Sequence, residues 1–177
     1  MSTRFPGLGR LVFPMRNSDN QPQRVLLSVC IPTFQRPQSL ARLLAALERQ
    51  ECNGFHFEVV VVDNDSSRSA RGTVEQARAK SASSIRYTTF PVANIAEARN
   101  TAIRGSNGDL IVFIDDDEVP TERWLLELFE TWIHHRVAGV LGPVKPRYLG
   151  GKPPQWLLES RLAERESFQT GNQLRDL

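Results

Sequence analysis

The sequence predicts an α/β protein with a mostly parallel sheet flanked by helices. Three observations carry that expectation. Strand-like and helix-like segments alternate along most of the chain, which is the pattern of βαβ units. Three segments, 25–34 (VLLSVCIPTF), 57–62 (FEVVVV) and 110–114 (LIVFI), are nearly unbroken apolar runs, as in strands buried on both faces. Each of these runs stops at polar residues: Thr33, then Asp63 and Asp65, then Asp115 to Asp117. Parallel strands would bring those ends to one edge, where ligands bind in open α/β sheets.

The elements follow in order. Residues 1–24 mix Pro, Gly, Arg and Asn with scattered apolar residues and read as a loose N-terminal extension. One domain is expected over 25–150, and 151–177 as the start of a further segment. After the first strand, Pro37 suits a helix first turn. Leu40, Leu43, Leu44 and Leu47 then give one buried helix face, and Asn53-Gly54 should stop that helix. A weaker helix follows the second strand, with Val74 and Ala77 inward, to about Lys80. Residues 85–90 (IRYTTF) alternate more and predict a strand nearer an edge. Asn94 with Glu97 three residues on has capping-box spacing. The helix it starts, 95–104, should bury Ile95, Ala98, Ala102 and Ile103. The Asp-rich strand comes next. A helix over 121–132 follows, with Trp124, Leu125, Leu128 and Phe129 inward. Residues 137–144 (VAGVLGPV) read as another short strand, and 156–168 as an amphipathic stretch packing through Leu157, Leu158 and Leu162.

Composition narrows the function. The chain has 177 residues, 40% hydrophobic and 24% charged, with net charge +2; so small a charge does not point to nucleic acid, and the class is a soluble globular domain. No apolar run reaches the ~20 residues needed to span a bilayer, and no signal peptide opens the chain. The expected location is the cytoplasm, at the inner face of the membrane, with any membrane contact peripheral. Cys30 and Cys52 match no disulfide framework or metal motif and are expected as buried or half-buried free thiols. His56 reads as a loop residue, and His134-His135 as a basic helix end.

The aspartates carry the chemistry. Carboxylates this close raise one another's pKa, and a divalent metal removes that cost. In extended backbone Asp115 and Asp117 would point one way and Asp116 the other, so the first and third would share an ion. The plain alternative is a solvated acidic turn before a helix. Asp63 and Asp65 suit hydroxyl and N–H donors, as on a ribose or a base. Nothing resembles GxGxxG or a P-loop, so phosphate is expected on a metal rather than a glycine loop.

Taken in order, Ile31-Pro32-Thr33-Phe34, Val61-Val62-Asp63-Asn64-Asp65-Ser66, Ala98-Arg99-Asn100, and Phe113-Ile114-Asp115-Asp116-Asp117 with Pro120 and Trp124-Leu125 after it resemble family 2 glycosyltransferases of the GT-A nucleotide-sugar fold. The resemblance runs from about residue 25 to 156. It implies a nucleotide-diphosphate sugar donor, Mg²⁺ or Mn²⁺, inversion at the anomeric centre, and a glycan or lipid-linked acceptor. It puts Pro32, Thr33 and Asp63 on base and ribose, Asp65 nearby, and Arg99 on the nucleotide side of the cleft. Asp115 and Asp117 become the DxD pair, Asp117 the principal metal ligand, and Asp116 faces ribose or sugar. Gly142-Pro143-Val144 and Pro153-Pro154-Gln155-Trp156 resemble the start of the acceptor half in bacterial members that build surface polysaccharides. Trp124, Trp132 and Trp156 read as core residues before sugar platforms, with Trp156, beside two prolines, the one to test as a platform.

The resemblance also implies a general base in an acidic motif well beyond the DxD. Glu159, Glu164, Glu166 and Asp176 sit in no matching motif, so the catalytic residue is left unassigned and the chain reads as a donor-binding half or a truncated product. Two other readings stand beside it: a non-catalytic nucleotide-sugar-binding fragment and, more distantly, a haloacid-dehalogenase-type phosphatase with Asp115 as nucleophile.

Overall fold

A computed structural model describes residues 24–92, 94–148 and 151–160. The chain divides into two packed units, Met1–Glu122 and Arg123–Leu177. The first holds β1 (Val25–Thr33), α1 (Pro37–Leu47), β2 (Phe55–Asp63), α2 (Arg71–Arg78), β3 (Ser84–Thr89), α3 (Ile95–Arg104) and β4 (Leu110–Phe113). The second holds α4 (Trp124–His135) and α5 (Gln155–Ser160).

All pairings in the sheet are parallel and its strand order is β3-β2-β1-β4. Thr33 lies opposite Asp63, Cys30 opposite Phe113, and Asp63 opposite Thr89. The chain therefore steps outward from β1 to β3, then returns to the other side of β1. That reversal is a topological switch point, and the crevice outside the strand ends there is where such sheets bind ligands. Right-handed crossovers put α1 and α2 on one face and α3 on the other.

Packing agrees with that handedness. Cys30, Val60 and Val62 form a buried cluster with Ala98 and Ala102 of α3, with Phe90 against it. Two alanines one turn apart let α3 lie close to the strands. Val29, Ile31, Val59 and Val61 alternate to the opposite side and are buried as well. On α1, Leu40, Leu43, Leu44 and Leu47 are all buried, and each contributes on the order of 1.5–3 kcal/mol. Asn94 caps α3 by accepting from the Ala96 and Glu97 N–H groups at 3.0 and 3.2 Å.

Several expectations change. α1 ends at Leu47, well before Asn53-Gly54; Gly54, at φ 85°, instead turns the chain into β2, and His56 lies inside that strand. β4 is not buried on both faces: Ile111 and Phe113 are each 39% exposed, because among the described residues β4 is an edge strand beside β1 alone. Ile95 and Ile103 are exposed, so the stripe of α3 that packs is narrower than its apolar pattern. Residues 137–144 form no strand; Pro143 lacks an N–H and the two glycines weaken strand preference. Cys52 is exposed, whereas Cys30 is buried, and both are free. In the second unit Leu125, Leu126 and Phe129 are the buried residues of α4. Arg136, left-handed at φ 52°, closes it. α5 has no buried residue, and its Trp156 is 63% exposed. Leu162, Glu164, Glu166 and Asp176 lie outside the described residues. No described helix is long and apolar enough to cross a membrane.

Candidate functional site

The site forms where β1 and β4 end side by side. Thr33, the last residue of β1, is buried, and its Oγ1 donates to Asp116 Oδ2 at 2.7 Å. Asp116 is buried too. β4 itself stops at Phe113. Ile114 still reaches back to Cys30 O, and a turn then closes from Glu118 N to Asp115 O at 3.1 Å. The three aspartates thus lie in a turn rather than in extended backbone, and strict alternation does not apply to them.

The turn changes which carboxylates meet. Arg36 Nη1 donates to Asp116 Oδ1 at 3.2 Å and to Asp117 Oδ2 at 2.6 Å. Asp116, with Asp117 after it, holds the Arg36 guanidinium still more firmly protonated. Asp115 faces another cation: Arg99 Nη2 donates to its Oδ1 at 2.9 Å. The Arg99 guanidinium also lies 5.9 Å from the Phe113 ring centroid, within cation–π range. The pair converging on one cationic atom is therefore Asp116 with Asp117, not Asp115 with Asp117. Three carboxylates against two guanidiniums leave one negative charge in excess.

These side chains line a cleft of about 290 Å³. Six of the sequence-predicted residues are there: Pro32, Thr33, Arg99, Asp115, Asp116 and Asp117. Phe34, Arg36, Asn64 and Ile95 complete the lining. Arg36 is the one that sequence reasoning missed at most cost; its only signal was an arginine directly after a strand end and before the Pro37 helix start. A larger hollow of about 370 Å³, between α2 and β3, is lined by Arg68, Arg71, Glu75, Arg78, Tyr87, Thr88 and Thr89. It shares no residue with the strand-end cleft and holds none of the clustered aspartates, so the smaller cleft is the candidate site.

Asp63 and Asp65 stand behind the cleft. Asp63 is 0% exposed. Its Oδ1 accepts from the Asp65 N–H at 3.0 Å, and its Oδ2 from the Ala70 N–H at 2.9 Å and the Tyr87 hydroxyl at 2.8 Å. Burial, then donation to Asp63, pushes the Tyr87 hydroxyl above its usual pKa. Asp65 accepts from the Ser67 hydroxyl and from the Ser67 N–H at 3.1 Å. The Ser67 hydroxyl is the main reason its carboxyl is lowered to about 2. Asn64, its amide nitrogen toward Phe90 O at 2.7 Å, ties the end of β2 to the segment before α3.

Among the described residues no three His, Cys, Asp or Glu side chains gather as a metal cluster. Two carboxylates on one cationic atom do, however, fit an ion that takes few protein oxygens and completes its shell with water and phosphate, as Mg²⁺ does. The phosphatase reading needs Asp115 as a nucleophile after its domain's first strand. Here β4 is the fourth strand and Asp115 is held by Arg99.

A family model described as glycosyl transferase family 2 matches residues 28–176. The succinoglycan biosynthesis protein ExoM of Rhizobium meliloti is 38% identical over 140 residues, 78% of this chain and 44% of that protein. The poly(ribitol-phosphate) beta-N-acetylglucosaminyltransferase TarS of Staphylococcus aureus is 30% identical over 91 residues, 51% of this chain and 16% of that protein. The structure of TarS 1–349 in complex with UDP-GlcNAc superposes with a TM-score of 0.60 at 26% identity, over 73% of this chain and 37% of that one. The mannosyltransferase PcManGT of Pyrobaculum calidifontis, solved with GDP-Man and Mn²⁺, gives a TM-score of 0.60 at 23% identity, over 70% and 36%. The fold is that of the GT-A glycosyltransferases. The chain spans less than half the length of each of these proteins.

Proposed function

Because the chain belongs to glycosyl transferase family 2, we propose that its strand-end cleft binds a nucleotide-diphosphate sugar for transfer to an acceptor. One observation supports this above the others: at the reversal of strand order, Asp116 and Asp117 turn onto a single cationic nitrogen. Pro32 and Thr33 shape the base and ribose side. Asp65 and its loop border that side, and Asp63 acts one step back by holding the loop. Arg99, from the first turns of α3, keeps positive charge beside the diphosphate.

Asp116 and Asp117 are the residues that would hold Mg²⁺ or Mn²⁺, with the more open Asp117 as the principal contact. Their hard oxygens suit either ion, and PcManGT was solved with Mn²⁺. When bound, such an ion stabilises negative charge that builds on the leaving diphosphate. In the transfer, an acceptor oxygen bonds to the anomeric carbon as the bond from that carbon to the diphosphate breaks, inverting the centre. The acceptor proton passes to a general base that we assign to none of the described residues. The acceptor in this reading is a polysaccharide or other glycan; the name of ExoM, a succinoglycan biosynthesis protein, supports it, while TarS is named for a poly(ribitol-phosphate).

Calorimetry of UDP and GDP against the chain tests the reading. Binding should appear with Mn²⁺ or Mg²⁺ and weaken strongly in chelator. Asp117→Asn should lose the ion-dependent part while the fold persists. Equal affinity with and without the ion would remove the metal from the site, and no binding of any nucleotide diphosphate would remove the donor.

A further inference from the structure

Arg36 lies across two carboxylates that the function needs for something else. It is the residue before Pro37, and Gln35 behind it has left-handed backbone at φ 54°. That turn aims the Arg36 side chain back over the end of β1, where Nη1 meets Asp116 Oδ1 at 3.2 Å and Asp117 Oδ2 at 2.6 Å. A divalent ion takes carboxylate oxygens at roughly 2.0–2.6 Å. The guanidinium nitrogen and an ion cannot both stand between the same two oxygens.

Resting on the donor-and-metal reading above, we infer that Arg36 is a counter-ion that occupies the metal's place until a donor diphosphate draws it off. Metal and donor then bind together rather than separately. Charge supports that order. Three carboxylates and two guanidiniums leave one negative charge in excess. A divalent ion added alone reverses this to one positive charge in excess, with Arg36 displaced and unpaired. The two negative charges of a donor diphosphate return the balance to one negative charge in excess and give Arg36 a new partner. The side chain is suited to the exchange. It is 55% exposed, so it moves at little desolvation cost. Its Nε and Nη2 make no hydrogen bond among the described residues, leaving an edge of the fork to meet phosphate oxygens. Arg99 is less free, since it holds Asp115 and lies against Phe113.

The experiment measures Mn²⁺ binding by electron paramagnetic resonance, without nucleotide, on the wild-type chain and on Arg36→Gln. The variant should bind Mn²⁺ alone more tightly, between about twofold and thirtyfold, the range that two ion pairs made by one exposed arginine allow. The gain in Mn²⁺ affinity on adding UDP or GDP should shrink in the variant and persist, reduced, in Arg36→Lys. Adding Asp117→Asn to Arg36→Gln should abolish the extra affinity. Unchanged or weaker Mn²⁺ binding by Arg36→Gln, with the wild-type chain still binding nucleotide and Mn²⁺ together, would overturn the role of Arg36 alone. A wild-type chain that binds no Mn²⁺ even with nucleotide would overturn the metal reading and this inference with it.

Discussion

Asp63 has both carboxylate oxygens committed within its own chain. The Asp65 and Ala70 N–H groups and the Tyr87 hydroxyl all donate to it, and it is fully buried. In the proposed function, its effect on a donor would therefore run through the loop it braces. Asp63→Asn keeps the shape but turns one acceptor oxygen into a donor facing donors. We expect a loss of about 1.5–3 kcal/mol, the worth of a hydrogen bond to a charged group, in urea unfolding. Nucleotide affinity should fall with it; full stability beside weakened binding would mean a direct contact instead. Asp65 makes a pH prediction. Its folded pKa is lowered to about 2 from the ordinary 3.8, chiefly by the Ser67 hydroxyl. A lowered carboxylate pKa stabilises the fold above the ordinary value, and that stabilisation is lost as pH falls through the folded value. The stability gap between wild type and Asp65→Asn should thus hold above about pH 4 and close toward pH 2. A gap that stayed constant across that range would remove the carboxylate's charge from the account.

At the scale of elements, β4 is only four residues long, and its position depends on the loop before it. Glu58 of β2 is buried, accepting from Ser28 Oγ and the Asn107 N–H at 2.7 Å each and from Arg86 at 2.5 Å. Burial raises the Glu58 pKa, but Asn107, Ser28 and Arg86 together outweigh it and the net shift is downward. The Gly108 N–H donates to Ser28 Oγ at 2.8 Å. A Cβ at Gly108 would meet Ser28 N and Oγ at 2.6 Å and Leu26 O at 2.8 Å, two of them backbone atoms of β1. Gly108→Ala should therefore cost about 1–3 kcal/mol by overpacking, against almost nothing for Gly72→Ala, whose Cβ meets nothing within 4 Å; chemical denaturation of both variants checks this. None of this network was legible in the sequence, because Ser28, Glu58 and Gly108 are 30 and 50 residues apart and no periodicity links them. What was legible was local. The Asn94 cap and the 95–104 bounds of α3 follow from side-chain chemistry within one turn. The strand expected over 137–144 did not form, since an apolar run interrupted by Gly139, Gly142 and Pro143 lacks the donors and side chains that a ladder needs.

For the whole molecule, the alternation of strands and helices revealed the parallel sheet, but not the return of β4 to the far side of β1 that makes the crevice. The site was legible to the same degree. Thr33, Arg99 and the three aspartates could be named because each belongs to a strand end or a motif. Arg36, and the turn that pairs Asp116 with Asp117, depend on three-dimensional proximity across about 80 residues of chain. Donor binding should couple these parts, and that coupling has a measurable size. A ligand at a hundred times its dissociation constant stabilises the folded state by about 2.7 kcal/mol. For a chain of this length each kcal/mol raises Tm by about 2–4 °C. UDP or GDP at that excess with Mn²⁺ should therefore raise Tm by about 5–10 °C. The same nucleotide in chelator should give a small part of that rise, and Asp117→Asn should give the small rise under both conditions. A full rise in chelator would place the donor's affinity in the polar strand ends of β1 and β2 and take the ion out of donor binding.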